Sequence, residues 1–408
     1  MRTVAYYFSL LLVFTVPWEN AIIFENWGTL TRAIGVAAGA SWLFSAMLSR
    51  TVRRPHLFHL LMFLFVLWNI TSLFWTRSFD DTIRLTQTYS QMFLMVWILW
   101  DLCTTPAILR SFLAAYIVGA YMSIGSVIAN YLAGQVISAG AEGRYTGAGM
   151  NANELAIILA LGIPIAWHLA TTAPPGTRSR ILRLVSYAYI PICLPAILLT
   201  GARTGLFVSL PGLLFVVFTS HRLKPFQRLL VFAVLAAGAI VLINYVPSAT
   251  IDRLATTGVS ISTGDLGGRV RLWIGSLVVF SRYPILGVGA GSLHAPLIIG
   301  AHAHNTFISI LAELGPIGLI LFAAVLIVVF SQAVRQPNWL SRPWFTILVM
   351  WLIGASTLTW EYTKQTWLFL GLVIMSANLI EQTRMGEERA ALHLSPAEGM
   401  RLRSTGNR

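Results

Sequence analysis

The chain alternates long apolar stretches with short polar connections over almost its whole length. Each stretch is close to the roughly 20 residues that a helix needs to cross the hydrocarbon core of a bilayer. Only 11% of the residues are charged, against about 25% in a soluble globular chain. A soluble domain of this composition would have too little polar surface to cover itself. The pattern predicts an all-α polytopic membrane protein.

About twelve transmembrane helices are predicted from these stretches, at 4–20, 32–49, 57–75, 82–101, 107–133, 153–171, 183–200, 205–220, 227–246, 305–333, 343–360 and 365–382. If the N-terminus is cytoplasmic, every cytoplasmic connection carries at least one of the 28 Lys and Arg residues. This is the positive-inside distribution, and it predicts that both termini are cytoplasmic. The first stretch lacks a small-residue cleavage pattern, so we interpret it as a span or signal anchor.

One transmembrane domain is therefore predicted over 1–383, followed by a cytoplasmic tail at 384–408. The connection at 247–304, between spans nine and ten, is long enough to predict a functional lid on the extracytoplasmic side. Within it, residues 268–283 place apolar side chains at helical spacing, which predicts an amphipathic helix. The net charge of +13 does not indicate a nucleic-acid partner, because the basic residues are spread over short loops.

Some basic residues lie at the predicted extracytoplasmic face, where topology does not require them: Arg32, Arg77, Arg84, Arg144, Arg203, Arg253, Arg269, Arg271, Arg282 and Lys364. Acidic residues of the same face, such as Asp80, Asp81 and Glu361, can pair with several of them. Guanidinium groups also suit an anionic substrate, because they stay charged and fork onto phosphate oxygens. Arg203 and Arg269 are the strongest candidates. Anchoring to lipid headgroups is the alternative for both, and snorkelling outward is the alternative for Arg84 and Arg271.

His304 lies just before the tenth span, where the positive end of the helix dipole favours a neutral imidazole that can accept a proton. An interfacial histidine is the alternative. Asn305 is a suitable residue to cap the helix of the tenth span, and His302 lies two residues before His304. The histidines at 294, 302 and 304 lack Cys or clustered acidic partners, and Cys103 and Cys193 have no ligand spacing. No metal and no cofactor are predicted.

Glu313 lies nine residues after His304, about 13 Å deeper along a helix. A carboxylate at that depth has to be paired or face a polar cavity, so we expect Glu313 to support the arginine cluster. The following Gly315 and Pro316 predict a kink in the tenth span. Gly287 and Gly289 predict a tight turn with a bare backbone.

The order and spacing of several motifs resemble the O-antigen ligase and O-antigen polymerase superfamily over about residues 140–330. The motifs are the segment from Gly147 to Ala156 with Asn151 and Asn153, the turn Gly201-Ala202-Arg203-Thr204-Gly205, Gly268-Arg269-x-x-x-Trp273, Pro284-x-x-Gly287-x-Gly289, and His304-Asn305 followed by Glu313-x-Gly315. The resemblance implies a metal-independent, inverting glycosyltransferase of the membrane-embedded GT-C type. It implies a glycan donor on undecaprenyl pyrophosphate at the periplasmic face of the bacterial inner membrane.

Residues and resemblance together give the predicted site. Catalytic roles are predicted for His304, Arg203 and Arg269, substrate binding for Arg84, Arg271, Asn151, Asn153, His302, Asn305 and Trp273, and structural support for Glu313, Gly287 and Gly289. The predicted partners are the lipid-linked donor, a lipid A core or other glycan acceptor, and the lipid bilayer.

Ligase activity on a lipid A core is favoured, because the motif series is complete and the chain shows no second large periplasmic loop. A polymerase with the same donor, and a relative that glycosylates protein hydroxyls, remain open. A secondary transporter of twelve spans is disfavoured, because it would keep its polar residues near the midplane in two related halves.

Overall fold

A computed structural model describes residues 1–25, 28–136, 144–172, 176–226, 268–295 and 298–393, together with positions 174, 228–229, 232–233, 236, 251 and 255. Within these residues the chain forms twelve α-helices: α1 Arg2–Thr15, α2 Leu30–Ser49, α3 Leu57–Thr71, α4 Phe79–Leu102, α5 Pro106–Leu132, α6 Ala152–Thr172, α7 Thr177–Leu199, α8 Arg203–Thr219, α9 Arg269–Arg282, α10 Thr306–Arg335, α11 Asn338–Ala355 and α12 Lys364–His393. A short antiparallel hairpin, β1 Ile23–Phe24 and β2 Gly28–Thr29, precedes α2. The fold is all-α and poor in strands.

Eleven of the predicted spans coincide with helices, namely α1–α8 and α10–α12, and the predicted amphipathic helix is α9. Most of the predicted ninth span, 227–246, and most of the lid before residue 268 lie outside the described residues, as does the tail beyond 393. In the described part of the chain five helical stretches are long and apolar enough to cross a membrane: Leu57–Phe74, Pro106–Leu132, Ala152–Thr172, Ser179–Leu199 and Thr306–Arg335. The protein is therefore an all-α membrane protein, and the total of twelve spans stays a prediction.

Helix α6 is the centre of the helical bundle. Its residues from Leu155 to Trp167 are all buried, and α5, α7, α8 and α11 surround it. Small residues allow this close packing. A side chain at Gly162 would collide with Tyr189 of α7, and one at Gly205 would collide with Ala156. Close approach at small residues is how helices associate when hydrophobic burial alone cannot drive them together.

The bundle has two chemically different ends. At one end Asp101, which is buried, accepts hydrogen bonds from the side chain of Arg2 at 3.1 Å, from the backbone of Arg53 at 2.6 Å and from Trp42. Arg110 bonds to the carbonyl of Thr172 at the same end. The opposite end contains the starts of α2, α4, α6, α8, α10 and α12, as the alternation of antiparallel helices requires. We call this the site end.

The predicted kink in α10 is present. Gly315 has φ +67° and non-helical ψ, and a side chain there would lie 2.2 Å from the carbonyl oxygen of Ile285. Trp68 of α3 donates its indole N–H to the carbonyl of Leu314 at 2.9 Å. Pro316 has no N–H to donate, so the helix is interrupted where Gly315 can adopt the left-handed conformation.

Candidate functional site

Arg203 is the first residue of α8 and follows a turn of only three residues after α7. Gly201 makes this turn with φ +58°, and the hydroxyl of Thr200 accepts the N–H of the buried Ala202 at 3.2 Å. A second hydrogen bond also fixes the turn, since Tyr145 donates its N–H to the carbonyl of Leu199 at 2.9 Å. The backbone therefore holds Arg203 at a fixed position of the site end.

Arg269 is brought against this turn from far along the sequence. It begins α9 after Gly268, which has φ +85°, and its Nη2 donates a hydrogen bond to Thr204 Oγ1 at 3.3 Å. Burial lowers the pKa of the Arg269 guanidinium, and the positive charge of Arg203 lowers it further. Two arginines held near each other in partly buried surroundings form a site that an anion would stabilise.

His304 completes the group. Its φ of +49° is unusual for a residue other than glycine, and its N–H donates to Thr359 Oγ1 at 3.0 Å. Burial lowers the pKa of His304, and the charge of Arg269 lowers it further. The imidazole is therefore neutral at neutral pH, and it lies within electrostatic reach of Arg269. The three residues predicted to be catalytic come together at the site end.

The loop at 356–363, between α11 and α12, fixes the start of α10. Asn305 caps α10, since its Oδ1 accepts the N–H groups of Phe307 at 3.0 Å and Ile308 at 3.1 Å. Its Nδ2 donates to the carbonyl of Ser356 at 3.1 Å, and Thr306 donates to the carbonyl of Leu358 at 3.0 Å. The predicted cap at Asn305 is thus present, and the same side chain fastens the loop that holds His304.

His302 lies in a group of aromatic rings next to His304. Its ring stacks on His294 with 4.5 Å between centroids and an interplanar angle of 10°, and Tyr362 lies 5.8 Å away. The surroundings lower the pKa of His302, first through burial and then through His294 and His304, although part of the residue remains exposed. A neutral His302 can therefore line this side of the site.

The glycine turn at 287–291 lies against the kink of α10. Gly289 donates its N–H to the carbonyl of Glu313 at 2.8 Å, and the Glu313 carboxylate accepts the N–H groups of Gly291 at 2.8 Å and Leu293 at 3.3 Å. Glu313 was expected to support the arginine cluster, but its carboxylate contacts the backbone of the glycine turn instead. Glu313 holds the glycine turn, because the chain after α9 folds back over α10 and presents its N–H groups to the carboxylate.

The asparagines at the start of α6 contact the α7–α8 turn through an arginine. Arg144 donates from Nη2 to Asn153 Oδ1 at 3.1 Å and from Nε to the carbonyl of Thr200 at 3.1 Å. Asn151 Oδ1 accepts the N–H of Asn153 at 2.9 Å. Both asparagines therefore lie beside the turn that holds Arg203, and Arg144 connects them to it.

The remaining predicted site residues are less closely gathered. Arg84 and Arg271 are exposed, and the described residues give neither side chain a hydrogen bond or ion pair. Trp273 lies one turn after Arg269 on the same face of α9. Its indole N–H is buried without a hydrogen-bond partner in the part of the chain that the structure describes.

Sequence reasoning missed several residues of this site. Thr204 belongs to a quoted motif but was given no role, and Thr359 and Tyr362 belong to none. Only the fold brings these residues to Arg269, His304 and His302. Glu361 was expected to pair with basic residues of the same face, but it is 1% exposed and the described residues give it no ion pair. Burial raises the pKa of Glu361 to about 8. Among the described residues no group of three or more His, Cys, Asp or Glu side chains is arranged to hold a metal ion.

Fold and site together define a helical membrane protein with a cationic cluster and a neutral histidine at one end. Residues 188–323 match the O-antigen ligase family, and this segment contains Arg203, Arg269, His304 and Glu313. The match confirms the resemblance to the O-antigen ligase superfamily for the motifs from Gly201 to Gly315, while the motif from Gly147 to Ala156 lies outside the matched segment. No curated protein shows a significant match to the chain. The match supports a membrane enzyme of the O-antigen ligase or polymerase type.

Proposed function

We propose that the protein is an O-antigen ligase-type glycosyltransferase of the bacterial inner membrane. It transfers a glycan from undecaprenyl pyrophosphate to a sugar of the lipid A core oligosaccharide at the periplasmic face. The observation that carries the proposal is the convergence of Arg203, Arg269 and His304, which begin α8, begin α9 and precede α10. The match of residues 188–323 to the O-antigen ligase family supports it independently.

The two arginines bind the pyrophosphate of the donor. As the bond between the anomeric carbon and the phosphate oxygen breaks, its electron pair passes to the leaving pyrophosphate. Guanidinium groups held in place by the fold stabilise this developing charge without having to reorganise. The positive charge comes from the protein itself, so the proposed transfer is metal-independent and continues in the presence of EDTA.

His304 acts as the general base. Its neutral imidazole accepts the proton of the acceptor hydroxyl while the oxygen forms a bond to the anomeric carbon. Attack opposite to the leaving pyrophosphate inverts the anomeric centre. The imidazolium that forms lies near the charge of Arg269, which favours release of its proton after transfer.

The proposal is tested by Arg203→Ala, Arg269→Ala and His304→Ala in a strain that lacks the chromosomal gene. We expect each to lower transfer by about 10²-fold or more, as the loss of a preorganised charge does. Gel profiles of lipopolysaccharide then show bare core, with lipid-linked polymer accumulating. Arg282→Ala is the matched control, because Arg282 is exposed at the other end of α9.

Membrane levels of all four variants are measured alongside. Normal surface glycan in a well-inserted Arg203→Ala or Arg269→Ala variant would contradict the proposal. A deletion strain that shows core with a single repeat unit would indicate a polymerase instead of a ligase.

A further inference from the structure

An apolar groove of about 450 Å³ opens on the flank of the bundle formed by α1, α2 and α4. Its volume lies in the roughly 300–1,000 Å³ range of pockets that enclose small ligands. The groove is lined by Leu12, Thr31, Arg32, Gly35, Val36, Gly39, Trp42, Leu43, Gln91, Met92, Leu94, Met95, Ile98 and Lys364. None of these residues belongs to the site described above.

Two glycines one turn apart make the groove hollow. A side chain added at Gly35 would first meet Leu12 at 3.7 Å, and one added at Gly39 would first meet Ile98 at 3.8 Å, both ordinary contact distances. These glycines leave the face of α2 without side chains along the groove, and a small side chain could be added at either position without a clash. Such a face accommodates a long flexible hydrocarbon chain.

The charges of the groove are confined to one end and have one sign. The lining contains Arg32 and Lys364 and no acidic residue. Arg32 lies in the first turn of α2 and is exposed, and Lys364 is the first residue of α12 and pairs with Glu19. Arg84 shares the helix face of Gln91 and Met95, two turns nearer the same end. From Arg32 to Leu43 the groove extends about 16 Å into the bundle.

The cationic end of the groove is linked to the candidate site through the start of α12. Lys364 directly follows the loop at 356–363, whose Thr359 holds His304 and whose Tyr362 lies beside His302. A molecule with its apolar chain in the groove and an anionic head at Arg32 therefore carries that head towards the catalytic histidine. An apolar chain with an anionic head is the chemistry of a lipid phosphate.

We propose that this groove binds the polyprenyl chain of the lipid-linked substrate on its way to the site, with the phosphate end first at Arg32 and Lys364 and then at Arg203 and Arg269. The inference rests on the proposed function, which requires such a lipid. The position of the groove favours the carrier over a bulk phospholipid, because Lys364 at its cationic end directly follows the loop that holds His304. Arg32 and Lys364 guide the phosphate, and the apolar wall of α2 and α4 holds the chain.

The test uses the full-length protein in nanodiscs of a zwitterionic phospholipid and a polyprenyl pyrophosphate with a photoreactive group in its chain. We expect crosslinks on peptides of α2 and α4. The double substitution Gly35→Leu and Gly39→Leu fills the groove and lowers the crosslinking yield by about tenfold, because several buried methylene contacts are lost. Gly125→Leu is the control, since Gly125 of α5 has open space around it.

Competition distinguishes the possible occupants. Excess unlabelled undecaprenyl phosphate should suppress the crosslinks, and excess phosphatidylglycerol should not. Equal competition by phosphatidylglycerol would show an ordinary contact with bulk lipid and overturn the proposal, as would crosslinks that map away from α2 and α4. Arg203→Ala abolishes transfer in the proposed mechanism but should leave the groove crosslink intact, because the lipid occupies the groove before its pyrophosphate reaches Arg203. A wild-type protein that crosslinks in the groove without transferring glycan would therefore contradict only the proposed function.

Discussion

Arg269 donates a hydrogen bond to the hydroxyl of Thr204, the residue directly after Arg203. This contact, 3.3 Å long, joins α9 to the start of α8 across 65 residues of sequence. It brings the guanidinium of Arg269 to the start of the helix that Arg203 begins. The orientation of Arg269 therefore depends on the residue that follows the other arginine.

Removal of the Thr204 hydroxyl should misplace Arg269 without removing its charge. We expect Thr204→Val to lower kcat/KM by about tenfold, because a hydrogen bond to a charged group contributes about 1.5 kcal/mol at the low end. Thr204→Ser keeps the hydroxyl and should retain most of the activity. Glycan transfer by purified protein measures the effect, and equal rates for the Val and Ser variants would refute the role of the contact.

The pH dependence of transfer should report on His304. Burial and the charge of Arg269 lower the pKa of His304 below its ordinary value of 6.5. A general base must be neutral, so activity should persist below pH 6.5 and fall only as His304 becomes protonated at lower pH. Arg269→Gln removes the charge, raises the pKa of His304 and should move the acid limb of the residual activity to higher pH. Arg269→Lys keeps the charge and serves as control, and an unmoved acid limb in the Gln variant would count against this pairing.

The buried Glu361 leads us to expect a second pH effect, on the thermal stability of the protein and not on the rate of transfer. Burial raises the pKa of Glu361 from 4.5 in the unfolded chain to about 8 in the folded one. The folded protein therefore binds a proton that the unfolded chain has lost, and this contribution is complete below pH 4.5 and disappears as the pH rises through 8. We expect Tm in detergent to fall over this window, and Glu361→Gln to flatten the profile. A Gln variant with the wild-type slope would be inconsistent with a buried, protonated Glu361.

The span pattern and the order of the motifs could be predicted from the sequence, because both depend on local patterns of residues. Apolar length predicted eleven of the helices, and glycine with proline at 315–316 predicted the kink of α10. The family match at 188–323 confirms the resemblance for the motifs that lie within that segment. The periodicity and spacing of residues reflect the environment of each segment, so they can be interpreted without knowing which segment packs beside it.

The hydrogen-bond and ion-pair partners of the polar residues could not be predicted in the same way. Glu313 was assigned to the arginines, but it accepts the N–H groups of Gly291 and Leu293. Glu361 was expected to pair with basic residues of its face, but it is buried and forms no ion pair among the described residues. In both cases the deciding contact joins segments that only the fold brings together, and no local pattern encodes which backbone group a side chain will meet.

Asn305 should prove important for two separate reasons. Its Oδ1 caps α10, and its Nδ2 holds the carbonyl of Ser356. Asn305→Ala should lower the free energy of unfolding by about 1 kcal/mol or more through loss of the cap. Asn305→Asp keeps the cap but cannot donate to Ser356, so we expect near-normal stability with a lower kcat. Thermal unfolding and transfer kinetics separate these effects, and an Asp variant with full kcat would show that the bond to Ser356 does not position His304.

The glycine turn should tolerate no side chain at Gly287. Its φ is +71°, and an added Cβ would lie 2.4 Å from the carbonyl oxygen of Glu313, which is backbone and cannot move aside. Gly287→Ala should destabilise the protein by about 1–3 kcal/mol through backbone strain, with the clash adding to this cost. Gly125→Ala is the matched control, because nothing lies within 4 Å of its added Cβ and helix propensity favours Ala over Gly. Thermal unfolding in detergent measures both. The turn also donates hydrogen bonds to the Glu313 carboxylate, so Gly287→Ala should destabilise the protein more than the same strain in an isolated turn would. Equal Tm values for the two alanine variants would contradict the close packing of this turn on α10.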